Sequence, residues 1–170
     1  QIKTLNLKNN KLITGVWCSG NPIKTLDFTD NSELQWLYCF DCKLTSLNVY
    51  NNTHLAYLEC NTNPDLKELN VSNNKELEHL MCGSCGLSSL ILENNKNLSH
   101  LDAFSNKFTK LDLSENTKLK RLDIWNNPDL GYVDIRNNTG IQYYNCANTG
   151  IDSLDVSILP ELNKLNCAYN

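Results

Sequence analysis

One nine-residue pattern recurs eight times along this chain, and that repetition constrains the fold more than any other property. In the block L-x-x-L-x-(C/A/I)-x-x-(N/C/T), the sixth position falls on Cys18, Cys39, Cys60, Cys82, Ala103, Ile124, Cys146 and Cys167, at steps of 21 or 22 residues. A fixed period of this length is the mark of a solenoid, in which each coil buries its apolar edge only against its neighbours. A second pattern, L-x-x-L-(D/N)-(L/V/F/I)-x-x-N, runs between the first ones, as in Leu111-Asp112-Leu113-Ser114-Glu115-Asn116. Every coil therefore has two short apolar edges. Apolar positions never follow helical spacing for three turns. The expected fold is mainly β: eight coils of 21–22 residues, parallel sheets, little or no helix, in one unit over residues 1–170. With parallel strands about 4.8 Å apart, the stack should be roughly 35–40 Å long. No atypical capping repeat is present, and the chain is expected to be a piece of a longer protein.

Period-2 alternation sends the fourth and sixth positions of the first block inward and the third, fifth and seventh outward. The cysteines thus occupy a packing position, which Ala103 and Ile124 fill without a thiol. In-register neighbours on a parallel sheet hold their β-carbons too far apart for a disulfide, so a ladder of buried free thiols is expected. Two Cys-x-x-Cys pairs, Cys39/Cys42 and Cys82/Cys85, have the spacing of zinc knuckles. In register, however, Cys42 and Cys85 occupy the ninth position, where other coils place Asn21, Asn63, Asn106 and Asn127. The coil of Asn63 separates them, which opposes a shared metal. Asn at a bend suits the backbone groups left unpaired there, and the second block has its own column from Asn10 to Asn138. Both 22-residue steps contain Asn-Pro-Asp, at 63–65 and 127–129, as an added turn residue.

The alternation of these Cys blocks with L-D-L-S-type blocks resembles the bacterial leucine-rich-repeat surface proteins related to internalin J, from Leu5 to Cys167. The resemblance implies a leucine-rich-repeat solenoid that is secreted or held at a bacterial cell surface and acts in adhesion or host interaction. It transfers no binding residues, because the shared motif is the scaffold. A net charge of -4 and a pI near 5.3, without clustered Lys and Arg, argue against nucleic acid and against anionic membranes. There is no 18-residue apolar run and hence no expected membrane insertion.

The outward positions carry the functional signal. On the Cys block they hold all three tryptophans, with the candidate ligand-binding set Trp17, Trp36, Tyr38, Phe40, Tyr57, His79, Met81, His100, Phe104, Arg121, Trp125 and Tyr143. The other block exposes only Tyr50 and Tyr132, while Phe28, Phe108 and Tyr144 fall on inward positions. Aromatics favour strands and pack across rungs, which would explain them structurally. Their confinement to one block points instead to an interaction face. Between the aromatic patches lies a polar window of Glu59, His79, His100, Asp102, Arg121 and Asp123. Adjacent histidines invite a metal site, but an open sheet offers no enclosing pocket and no group to orient either ring. No catalytic set, cofactor site or metal site is expected. A sequon such as Asn70-Val71-Ser72 arises readily in an Asn-rich repeat. The expected function is non-enzymatic recognition of a protein ligand through an aromatic concave sheet, with glycan binding or a rigid spacer as alternatives.

Overall fold

Alternation decides which side chains enter the core. Leu37, Leu58, Leu80, Leu101 and Leu122, the central residues of successive three-residue strands, are fully buried, whereas their sequence neighbours face outward. A computed structural model describes the whole chain, Gln1–Asn170, and contains ten strands and no helix. These are β1 (Gly15–Trp17), β2 (Thr25–Asp27), β3 (Trp36–Tyr38), β4 (Ser46–Asn48), β5 (Tyr57–Glu59), β6 (His79–Met81), β7 (His100–Asp102), β8 (Arg121–Asp123), β9 (Tyr143–Asn145) and β10 (Lys164–Asn166). The Cys block supplies one parallel eight-stranded sheet in the order β1-β3-β5-β6-β7-β8-β9-β10. Its register is uniform: each third, fourth and fifth position pairs with the same position of the next coil, as Trp36 with Tyr57 and Leu37 with Leu58. No helix is long and apolar enough to cross a membrane.

The second block differs from the expectation of a strand in every coil. Only β2 and β4 pair there. The ladder stops where the first Asn-Pro-Asp adds a residue, just ahead of the edge that begins at Leu66. Along the whole edge, with or without strand pairing, side chains link the coils. The Nδ2 group of each bend asparagine donates to two carbonyls of the preceding coil: Asn74 to Val49 (2.9 Å) and Asn52 (2.7 Å), Asn95 to Val71 (3.0 Å) and Asn74 (2.8 Å), Asn116 to Leu92 (3.0 Å) and Asn95 (2.9 Å). A third ladder lies on the outer edge, where the fifth-position Asx side chain accepts the N–H two residues on, as Asp112 from Ser114 and Asp134 from Arg136.

A core of 42 buried residues runs the length of the stack. All eight cysteines are free, and every one but Cys167 is buried. Burial pushes the thiols of Cys39 and Cys82 far up and that of Cys18 to about 12, so these sulfurs pack as neutral, unreactive groups. Cys42 and Cys85 do occupy the asparagine slot. Their thiols donate to the carbonyls of Cys18 (3.2 Å) and Cys60 (3.1 Å), as Asn63 Nδ2 donates to Cys39 (3.0 Å) one coil along.

What aims the ninth side chain inward is a left-handed residue immediately before it. The eighth position has positive φ in all coils: Gly20, Asp41, Thr62, Ser84, Ser105, Asn126, Asn148 and Tyr169. Only Gly20 announces this in the sequence. From Gly20 to Asn148 the N–H groups of these residues still bond to the next coil, as Ser84 to Phe104 O (2.8 Å), so the sheet's hydrogen bonding continues through the turn and holds the unfavourable φ in place.

Candidate functional site

The outer face of the eight-stranded sheet carries a continuous column of rings. Trp17 and Tyr38, both at fifth positions, stack with centroids 5.4 Å apart and planes 13° apart. Tyr38 stacks in turn on Tyr57 at 4.7 Å, and because Tyr57 is a third-position residue the column steps sideways there. Tyr57 stacks on His79 at 5.3 Å and His79 on His100 at 4.3 Å. Five rings thus span five coils in the near-parallel geometry that ring quadrupoles allow when offset. Packing across rungs, the structural explanation of the aromatics, is therefore real for these five. It buries them only in part, and Trp17 remains 68% exposed.

Trp36 lies in register with Gly15 and Tyr57 but outside the column, because Tyr57 leans toward Tyr38. Its indole is exposed, as is Phe40 on the adjoining seventh position. Gly15 makes the arrangement possible, since a β-carbon there would stand 2.6 Å from the Trp17 ring. A second seat lies three coils away, where Phe104 folds over Gly83 so closely that any β-carbon would overlap the ring. Trp125 stacks on Phe104 with centroids 5.4 Å apart.

Beyond His100 the column gives way to charge. Arg121 donates through Nε to Asp102 and through a terminal nitrogen to Asp123, both at 2.8 Å, and lies 3.9 Å over the Tyr143 ring. Tyr143 adds its hydroxyl to Asp123 Oδ2 at 3.3 Å. Although Asp123 stands at an outward position, this cover leaves it only 5% exposed, with Oδ1 unpartnered. Burial, then the neighbouring charge of Asp102, raises the carboxyls of both Asp123 and Glu59 above the ordinary range. Met81 sits between Glu59 and Asp102 and accepts a hydrogen bond from Tyr57 Oη at 3.5 Å. Burial and then His79 hold the His100 imidazole below its usual value, and Ser99 Oγ stands 2.8 Å from its Nδ1. The two imidazoles meet face to face, so their nitrogen lone pairs lie in stacked planes and do not converge on a point where one ion could sit. No group of three potential ligands comes together anywhere in the chain.

The twelve residues named from the sequence thus fall on one face but in three arrangements. Trp17, Tyr38, Tyr57, His79 and His100 form the ring column, with Trp36, Phe40 and Met81 beside it; Arg121 and Tyr143 form a charged cover; Phe104 and Trp125 form a separate pair. Sequence reasoning missed the seats at Gly15 and Gly83 and the burial of Asp123. A glycine at an outward position of the repeat, on the strand for Gly15 and in the turn after it for Gly83, was the signal available for the first two.

No family model matches the sequence, and comparison with curated proteins finds no match. Solved structures do match. The functional domain of InlJ from Listeria monocytogenes, described as including a cysteine ladder, superposes with a TM-score of 0.96 at 27% identity over 99% of this chain. The internalin InlF of the same organism gives 0.69 at 16% identity over 94%, and the Arabidopsis receptor kinase HAESA 0.71 at 18% over 93%. These two show the shared fold alone. This chain spans 37% of the InlJ chain and 62% of the InlF chain. The chain is an internalin-like leucine-rich-repeat solenoid whose column of buried free thiols is similar to the cysteine ladder for which the InlJ domain is described.

Proposed function

We propose that the chain is a recognition module that binds a protein ligand on the aromatic face of the eight-stranded sheet, the concave side of the solenoid, without catalysing a reaction. The observation that carries this reading is the five-ring column from Trp17 to His100 with the Trp36 indole exposed beside it. Exposed, pre-stacked aromatics lose little side-chain entropy on contact and are the residues that dominate protein interfaces. The opposite edge has no stacked rings, and its exposed apolar side chains, among them Tyr50, Ile91 and Tyr132, are scattered. Arg121, already held by Asp102 and Asp123, would supply polar register without first having to be ordered. A protein that shares this fold, HAESA, was solved in complex with the peptide hormone IDA and the co-receptor SERK1. The likeness to internalins supports a place outside a bacterial cell or on its surface, and a role in adhesion.

Trp36→Ala combined with Tyr38→Ala tests the reading. Both side chains are at least partly exposed, so the variant should keep the thermal midpoint within a few degrees, while attachment to host cells and to immobilised matrix proteins falls by about tenfold or more. Undiminished attachment by a folded double variant would leave the rigid spacer as the better account.

A further inference from the structure

A different part of the same sheet has the chemistry of a sugar site. The seventh-position column runs Phe104, Trp125, Ala147, Ala168, so the stack that begins on Phe104 ends at Trp125 against a methyl group. One face of the Trp125 indole is covered by Phe104; the other borders a groove of about 420 Å³ lined by Trp125, Asn126, Ala147, Asn148, Asn166 and Tyr169. None of the six is charged. Buried Ala147 forms the floor, and Tyr169 lines the groove together with the indole.

The amides around this groove are held in order. Asn148 Nδ2 donates to Asn126 Oδ1 at 2.8 Å, and Asn126 Nδ2 donates to Ser105 Oγ at 2.9 Å. That cross-coil chain uses both ends of Asn126 and fixes Asn148 with Oδ1 unused. Asn166 Oδ1 accepts Ala168 N–H at 3.2 Å, which orients its Nδ2 as a donor. The groove therefore offers one oriented amide acceptor and one oriented amide donor beside a bare indole face. A planar apolar wall attracts the electropositive C–H face of a pyranose, and neutral amides pair with hydroxyls, which both donate and accept. A charged ligand would find no counter-ion here, and an apolar one would strand the amides.

We infer that the groove between Trp125 and Tyr169 binds one residue of a neutral saccharide, its ring laid on Trp125 and its hydroxyls bonded to Asn148 and Asn166. This goes beyond the protein-binding reading and shares no residue with the ring column that carries that reading.

The test uses the full chain with a panel of neutral oligosaccharides of galactose, glucose and mannose, with and without N-acetylamino groups, together with sialylated and sulfated versions. Saturation-transfer NMR on the unaltered protein should show at least one neutral oligosaccharide bound, and the same sugar should change tryptophan fluorescence. Trp125→Ala should weaken that binding by about tenfold or more, and Asn148→Ala and Asn166→Ala should each weaken it severalfold. If Trp125→Ala disturbs folding, Ala147→Leu, which fills the groove from its floor, should abolish binding in its place. The Trp36→Ala/Tyr38→Ala variant should bind the sugar unchanged, which separates failure of this site from failure of the protein-binding face. No neutral sugar bound, only charged sugars bound, or binding indifferent to Trp125 and Ala147 would each overturn the assignment.

Discussion

Asn95 makes two hydrogen bonds to the coil before it and leaves its own Oδ1 buried without a partner. The net stabilisation is nonetheless large, because without Nδ2 the carbonyls of Val71 and Asn74 would lose a buried donor. Asn95→Ala should lower the unfolding free energy by about 2–4 kcal/mol in urea titration, against about 0.5 kcal/mol or less for the exposed neighbour Asn94→Ala. Equal costs at both sites would refute the ladder as a source of stability. The asparagine columns were legible because they repeat; their direction, each reaching back to two carbonyls, was not, since spacing gives no orientation. His100 also gives a prediction at the level of one side chain. Its imidazole titrates below its ordinary value in the folded chain, with His79, Asp102, Lys120 and Arg121 as the charges that act on it. The unfolded chain thus binds the proton more readily, so this contribution is complete above the unfolded pKa of about 6.5 and is lost as pH falls through it toward the lower folded value. Glu59 and Asp123, with raised carboxyls, act in the opposite sense in the lower, carboxylate window. The melting temperature should drop between about pH 7.5 and 6, and His100→Gln should remove part of that drop. An identical profile in the variant would contradict the assignment.

The turns show where strand and loop chemistry compete. Asn63-Pro64-Asp65 and Asn127-Pro128-Asp129 each add one residue, and one coil later Gly86 (φ 103°) and Gly150 (φ 74°) lie beneath the proline carbonyl, where a β-carbon would stand 2.6 and 2.5 Å from Pro64 O and Pro128 O. At Pro22, which lacks the added residue, the corresponding place is held by Lys43 at φ 63°. The glycine requirement therefore comes from the proline carbonyl as well as from φ. Gly86→Ala should cost about 2–4 kcal/mol, while Gly131→Ala, at φ 62° with open space around it, should cost about 1 kcal/mol. Calorimetry on the two variants checks the ranking, and equal losses would mean the carbonyl contact does not matter. The eight-stranded sheet was legible from alternation and a constant register. That the Cys block would form the more regular sheet was legible too; that the second edge pairs only between β2 and β4 was not, because its L-x-x-L-D-L pattern satisfies the same alternation in every coil.

Taken together, the coils form a rod whose cohesion comes from the core and from side-chain ladders, with thiols as one of several interchangeable fillers. Composition and alternation identified the face that carries the tryptophans. They could not show that Tyr57 crosses from one column to the other to continue the stack, nor that Arg121 covers Asp123, because both depend on how side chains lean between coils. If the ring column is the contact surface, a bound partner must shield it and spare the opposite edge. Hydroxyl-radical footprinting of the chain with and without a saturating protein ligand measures this directly, with the exposed Tyr50 and Tyr132 as internal controls. The account predicts that oxidation of Trp17, Trp36, Tyr38 and Tyr57 falls several-fold on binding while Tyr50 and Tyr132 are unchanged; protection of Tyr50 and Tyr132 with the ring column still fully labelled would contradict it.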